Sequence, residues 1–428
     1  MMRLTEDNFS TIEEHFFSIT LENGFKAILV PKQNFRETVC MLTVGFGSLD
    51  NSFTTETGEI FSYPEGVAHF LEHKVFEMEN NKDAAIQFTN LGADLNAFTS
   101  FDRTAYFFSS TSDFDEALSL LQTFVVSPHF THDSVEKEKD IIRQEIDMYQ
   151  DDPEYQLYQG ILENLYPETV LAKDIAGNKD SINRITLRDL KENHHFFYHP
   201  KNMTLLIVGD INKDEIIQKI IKDQEKLSFP NFQLPIRNQI VHNPVIKTRT
   251  VQMDVALPKL AVAYRGRHFK TKQSLLKQKI ALRLLLAMLL GWTSNSYQDW
   301  YDAGQIDDSF DIEIEVNSDF QFIILSSDTF EPIALSNKIR QLIKRRNKIE
   351  DISEEHLQLI KKEMYGDFIK SLDSTEHLAN QFMSYLTEKE SYFDIPDILR
   401  QLTFTEVIEI GNAFFDAAEV TDFTIVPK

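Results

Sequence analysis

His69-Phe70-Leu71-Glu72-His73 reads H-x-x-E-H, the inverted order of the H-E-x-x-H zinc-peptidase motif. Residues four apart on a helix share a face, so His69 and His73 point the same way. Two neutral imidazoles on one face can grip one Zn²⁺, and Glu72 is placed to reach water at the metal. The flanking residues predict that helix. Pro64-Glu65-Gly66 starts it, and Val67, Ala68, Phe70 and Leu71 supply apolar residues around the ligands. Without a third ligand, the same five residues are a helix with two surface histidines.

Composition bounds what surrounds the motif. A chain of 428 residues is too long for one core and is expected to form two to four domains. The 34 Phe against 2 Trp suit well-filled α/β layers. Lys+Arg is 43 and Asp+Glu is 67, a net charge of 43 − 67 = −24. That argues against nucleic acid or an anionic membrane as the main partner. It suits a chamber for neutral or basic peptides, or simply a solvated acidic surface. Cys40 stands alone, so no intrachain disulfide or thiolate-rich metal site is expected. Met1 to Ser10 contains no apolar segment of the secretory kind, and Leu284 to Leu290 reads as a buried helix. The expectation is a soluble, cytoplasmic protein with no membrane attachment.

The chain reads as two similar halves. In the first, Phe16 to Pro31 alternates as a hairpin and Thr38 to Gly45 is a further strand. The motif helix follows, then a helix over Ala84–Leu91, and strands near Leu95–Ser100 and Thr104–Ser110. Helices are expected over Asp113–Val126, Thr131–Tyr149 and Leu187–Tyr198, then a strand over Met203–Val208. Asp151-Asp152-Pro153 stops the second of these helices. Pro230, Pro235 and Pro244 break the pattern, which places a linker at 229–248 between domains 1–228 and 249–428. The second domain repeats the order of strand, helix, strand pair, helices and final strand. Its long helix carries Leu284, Leu285 and Leu286 in place of the motif. The expected class is α+β, each domain a mainly antiparallel sheet packed with helices. One half would hold metal and the other would form a wall.

Catalytic zinc wants three protein ligands and an open position. Glu138 and Glu145 lie seven residues apart, two turns of one helix, and so point the same way. Spacing alone does not choose between them, and Glu136 to Asp140 has the style of a solvated face.

Beyond the motif, the chain resembles the pitrilysin/insulinase family of zinc peptidases nearly end to end. The resemblance is carried by Leu21-Glu22-Asn23-Gly24, Gly66 to His73, Asn96 to Ser100 with Thr104-Ala105-Tyr106, and Glu138 to Glu145 leading into Met148 to Pro153. Gly177 with Ser181-Ile182, and Phe197 to Pro200 with Asn202-Met203, extend it. Lys74-Val75-Phe76-Glu77 and Asp307 to Phe310 resemble the small bacterial branch often labelled YfmH-like. The resemblance implies two homologous α/β-roll domains of the LuxS/MPP-like metallohydrolase kind, forming half of a clamshell. It implies His69, His73 and Glu145 as ligands of one Zn²⁺ per chain, Glu72 as general base, and Glu138 behind the zinc site. Asn96, Ala97, Phe98 and Thr99 would lie on the edge strand that pairs with an extended, unfolded peptide substrate.

One departure bears on partners. After its second-half helix the family carries an Arg and a Tyr that reach the substrate carbonyl. Here Tyr301 falls at the Arg position and Asp308 at the Tyr position; anchoring on Gly304 gives Trp300 and Asp307 instead. An Asp cannot stabilise an oxyanion. The expectation is therefore a zinc endopeptidase acting with a metal-free paralogue that supplies the Arg and Tyr. A homodimeric peptidase and a non-catalytic peptide-binding subunit are the alternatives.

Overall fold

The computed structural model describes residues 3–79, 82–229, 233–267, 274–387 and 389–428. Two sheets organise it, and they share one topology. The first runs Arg3–Phe9, Glu14–Thr20, Lys26–Pro31, Met203–Gly209, Thr38–Val44, Thr104–Ser110, Ala93–Thr99. The second runs Thr248–Met253, Glu419–Pro427, Lys259–Arg265, Gln321–Asp328, Asp311–Val316. In each, the last strand of the half inserts between two earlier strands, parallel to one (Lys26–Pro31 or Thr248–Met253) and antiparallel to the other (Thr38–Val44 or Lys259–Arg265). The remaining pairs are antiparallel. The repeated order gives the α+β class its structural basis: the first sheet is the second with Arg3–Thr20 added at one edge.

The compact units do not follow the linear halves. One comprises Met1–Asp147, Lys173–Asn238 and Ser371–Phe393; the other comprises Met148–Ala172, Gln239–Lys370 and Asp394–Lys428. Each sheet is thus served by a helix from the opposite half of the sequence. Thr375–Tyr385 joins the first unit, where Phe382 meets the ring of Phe16 at 5.2 Å and Met383 O accepts from Arg103 Nη1 at 2.6 Å. Pro153–Leu165 joins the second, lying on Glu419–Pro427 so closely that a Cβ on Gly160 would fall 2.3 Å from the buried Phe423 ring. Sequence reading stopped at Pro153 and left this helix out. Proline ends one helix, but it also sits readily in the first turn of the next. Asp152 caps that turn, accepting from Glu154 N and Tyr155 N.

One of the points where the chain passes between units follows Asn238, inside the proline-rich stretch. Pro230, Asn231 and Phe232 lie outside the described residues. Ile236–Arg237 pairs with Ser52–Thr54, and Arg237 grips the buried Asp50 through two bonds of 2.8 and 2.9 Å. A bidentate, charge-assisted pair of this kind fixes direction as well as position.

Glu313 gives the second unit a pH-sensitive point. Burial, with Glu315 and Asp311 on the same strand face, lifts its carboxyl pKa to about 7, against the opposing effects of the Tyr158 hydroxyl at 3.1 Å and of Lys279. The folded state therefore binds a proton that the unfolded state releases near the ordinary value of 4.5, and stability falls as pH rises through about 7. Glu313→Gln should raise stability by about 1–3 kcal/mol at pH 8 and change it little at pH 5. Thermal unfolding at the two pH values checks this; an equal shift at both would count against it.

Candidate metal centre

The motif helix, Val67–Val75, begins at Gly66, whose φ of 86° is left-handed. A Cβ there would fall 2.5 Å from Ala176 O, so glycine meets both the backbone angle and the close approach. Val67, Phe70 and Leu71 are fully buried, which turns His69 and His73 toward the half-buried face of the helix. The second contributor is the long helix His132–Asp151. It buries Val135, Lys139, Ile142 and Ile146, a stripe of helical period. Glu138 and Glu145 flank that stripe and reach the histidines.

The structure brings His69, His73 and Glu145 together, with one donor atom from each within 4.8 Å of the others. Glu145 Oε1 lies 3.7 Å from His69 Nε2, and Glu145 Oε2 lies 3.5 Å from His73 Nε2. Glu138 meets the other face of His73, with Oε1 3.1 Å from Nδ1. The two carboxylates that spacing could not separate thus stand on different ring nitrogens. Glu72 is nearly buried, and Thr99 Oγ1 donates to its Oε2 at 2.5 Å.

Electrostatics separate the groups further. Burial, and then the neighbouring His73, push the His69 pKa down to about 3, so its ring keeps a free lone pair at neutral pH. Burial alone would lower His73 too, but the Glu138 bond and the charges of Glu72, Glu145 and Glu138 outweigh it and raise the pKa. Glu72 is raised by burial, against the Thr99 bond and the His73 charge. A carboxylate raised in this way is a stronger base than a free one. Glu138 is held low: burial opposes ionisation, and the His73 bond, with the charges of His73 and Lys74, overcomes it.

Ala93–Thr99 is the outermost strand of its sheet and, among the described residues, pairs only with Thr104–Ser110. Asn96 and Phe98 face solvent, and Ala97 is half-buried. The N–H of Ala97 bonds Asn96 Oδ1 at 2.8 Å. Thr99 does what its place in the strand did not disclose: its hydroxyl orients Glu72. Sequence reasoning also passed over Lys74, which is 3% exposed and lies among carboxylates. The signal for it was a lysine on the motif helix where an apolar residue would pack. On the far side of His73 and Glu138 a cleft of about 590 Å³ opens, bordered by Lys74, Glu77, Lys82 and Lys137.

Comparison with known proteins carries the assignment. The profile of the insulinase family, peptidase family M16, matches residues 39–179, and that of the M16 inactive domain matches residues 184–364. YmfH of Bacillus subtilis, described as an uncharacterized zinc protease, is 37% identical over 98% of both chains. The chain belongs to the insulinase (M16) peptidase family. Its resemblance to the YmfH-like bacterial branch holds across the full match. The zinc protease PqqE of Helicobacter pylori is 26% identical over 96% of this chain and 92% of that one. An M16-like peptidase from Alicyclobacillus acidocaldarius superposes with a TM-score of 0.90 at 30% identity, over 97% of this chain and 99% of its own.

The family implies zinc, and the donor set fits it. Ligand atoms about 2.1 Å from a tetrahedral zinc stand roughly 3.4 Å apart. The two Nε2-to-carboxylate separations, 3.7 and 3.5 Å, match that spacing. Two imidazoles and one carboxylate are a zinc-hydrolase donor set that leaves a position open. Among the described residues no helix is long and apolar enough to cross a membrane.

Proposed function

We propose that the chain is a zinc-dependent endopeptidase of the H-x-x-E-H type that hydrolyses unfolded peptides. The observation that supports this best is the convergence of His69, His73 and Glu145 beside a buried Glu72. We take His69, His73 and Glu145 as ligands of one zinc per chain, in the half spanning 1–228, with 229–248 as linker and 249–428 as the inactive half. Zinc so held supplies Lewis acidity: it makes water acidic near neutral pH and polarises a carbonyl. Glu72, aimed by Thr99, takes a proton as the water oxygen attacks the scissile carbonyl carbon. As the C–N bond breaks, Glu72 returns that proton to the leaving nitrogen. Substrate lies extended along Asn96 to Thr99 and adds a strand to the open edge. Asn96 Oδ1 must then release the Ala97 N–H for that pairing.

Glu138 fixes the His73 tautomer by accepting from Nδ1, which leaves Nε2 for the metal. Metal analysis separates the two carboxylates. Glu145→Gln, like His69→Ala and His73→Ala, should purify with little zinc. Glu138→Gln should retain it with an affinity about 10–100-fold weaker. Full zinc in Glu145→Gln together with loss in Glu138→Gln would reverse the assignment.

We also propose that the active enzyme is a two-chain assembly with a metal-free paralogue. Tyr301 and Asp308 support this reading. Tyr301 is 43% exposed and donates to Asp308 Oδ1 at 3.2 Å, so the pair is committed to itself and offers no cation.

A further inference from the structure

The buried Lys74 is the strongest feature that the mechanism leaves unused. It follows the ligand His73 directly on the motif helix and is 3% exposed. Its ammonium donates to Glu77 Oε2 at 2.5 Å, approaches Ser134 O at 3.5 Å, and stands 3.7 Å from Glu138 Oε2. Glu138 uses its other oxygen, Oε1, on His73 Nδ1 at 3.1 Å. A relay of contacts thus runs Glu77–Lys74–Glu138–His73. A buried lysine is costly unless paired, so its place among these groups calls for a reason beyond packing.

We propose that Lys74 is a positioning residue for the metal site: it holds Glu138 Oε2 so that Oε1 stays on His73. The inference rests on the zinc reading above and extends it one residue outward. Without the ammonium, Glu138 loses the group that fixes its rotation and Glu77 loses its partner. Glu138 then turns toward the adjoining cleft, and His73 loses the acceptor that orients its ring.

A simple field argument predicts the opposite sign. Glu72, Glu77, Glu138 and Glu145 gather here, and removing a nearby positive charge should by itself tighten binding of a dication. The sign of the change therefore discriminates between the two.

The test measures zinc affinity of the full-length protein by chelator competition, in wild type, Lys74→Met, Lys74→Gln, Glu138→Gln and the Lys74→Met/Glu138→Gln double variant. Positioning predicts that each Lys74 variant binds zinc about 10-fold more weakly, within the span for outer partners of metal ligands. It further predicts that Lys74→Met adds less than about twofold in the Glu138→Gln background, because both act through one group. Unchanged or tighter binding in the Lys74 single variants would overturn it, as would effects that multiply in the double variant. Unfolded apo-protein in both Lys74 variants would make the residue structural and overturn it too. If wild type itself binds no zinc, both readings fall; if only the Lys74 variants behave like wild type, the positioning role alone does.

Discussion

Glu72→Gln should retain zinc and lose peptidase activity by roughly 10²–10⁴ or more, the range for removing a general base. The two halves of this expectation have separate causes. Glu72 is absent from the set of three converging donors, so the substitution leaves the proposed ligands intact. Glutamine fills the same space and can still accept from the Thr99 hydroxyl, which now bonds Glu72 at 2.5 Å. What it cannot do is take a proton. Glu72 is also buried among other acids, with Glu145 raising its pKa, so a neutral amide there removes a charge the fold holds at some cost. The variant should be at least as stable as wild type. Zinc analysis and a quenched-peptide cleavage assay on the same preparation decide the matter. Cleavage near the wild-type rate would remove Glu72 from the role of base; loss of zinc would make it a structural support of the site.

How far the molecule could be read beforehand depends on whether a feature is local. The strands came from alternation, and the repeat came from their order. Both sheets then adopt one arrangement, with Met203–Gly209 and Glu419–Pro427 inserted at the same place. The exchange of helices was not legible. Nothing in Pro153–Leu165 says which sheet it will cover; Gly160 suits a close approach to Phe423, but that ring lies more than 250 residues away in the chain.

The site divides in the same way. His69 and His73 announce themselves because both sit on one short helix. Glu138 and Glu145 share a face by periodicity, yet which ring nitrogen each meets depends on how two helices cross. Thr99 and Lys74 were harder still. Thr99 is an ordinary strand residue, and Lys74, though it interrupts an apolar face, does not show its partner; only packing sets one against Glu72 and the other against Glu138. A buried charge costs free energy wherever it sits, and sequence pattern cannot show whether it has been compensated.

Purified alone, this chain should cleave unfolded peptides weakly or not at all, and a paralogue from the same genome should restore activity. The reasoning starts from the transition state. As water adds, the carbonyl oxygen becomes an oxyanion, and the loss of one donor aimed at it typically costs about 3–4 kcal/mol. In the second half of this chain the stretch that resembles the family's donor pair offers Tyr301 and Asp308, already bonded to each other. The Asp308 charge raises the Tyr301 pKa, which makes that hydroxyl a poorer proton donor. An acidic side chain beside a developing anion would repel it. The partner should therefore carry Arg and Tyr at the equivalent place and should lack H-x-x-E-H, since one metal site serves the pair. Cleavage assays with the single chain, and with the chain plus each paralogue, are the direct measurement; size-exclusion chromatography reports whether the two associate. Strong single-chain activity, unaffected by Tyr301→Phe, by Asp308→Asn or by any paralogue, would mean that self-association completes the site and that the two-chain reading is wrong.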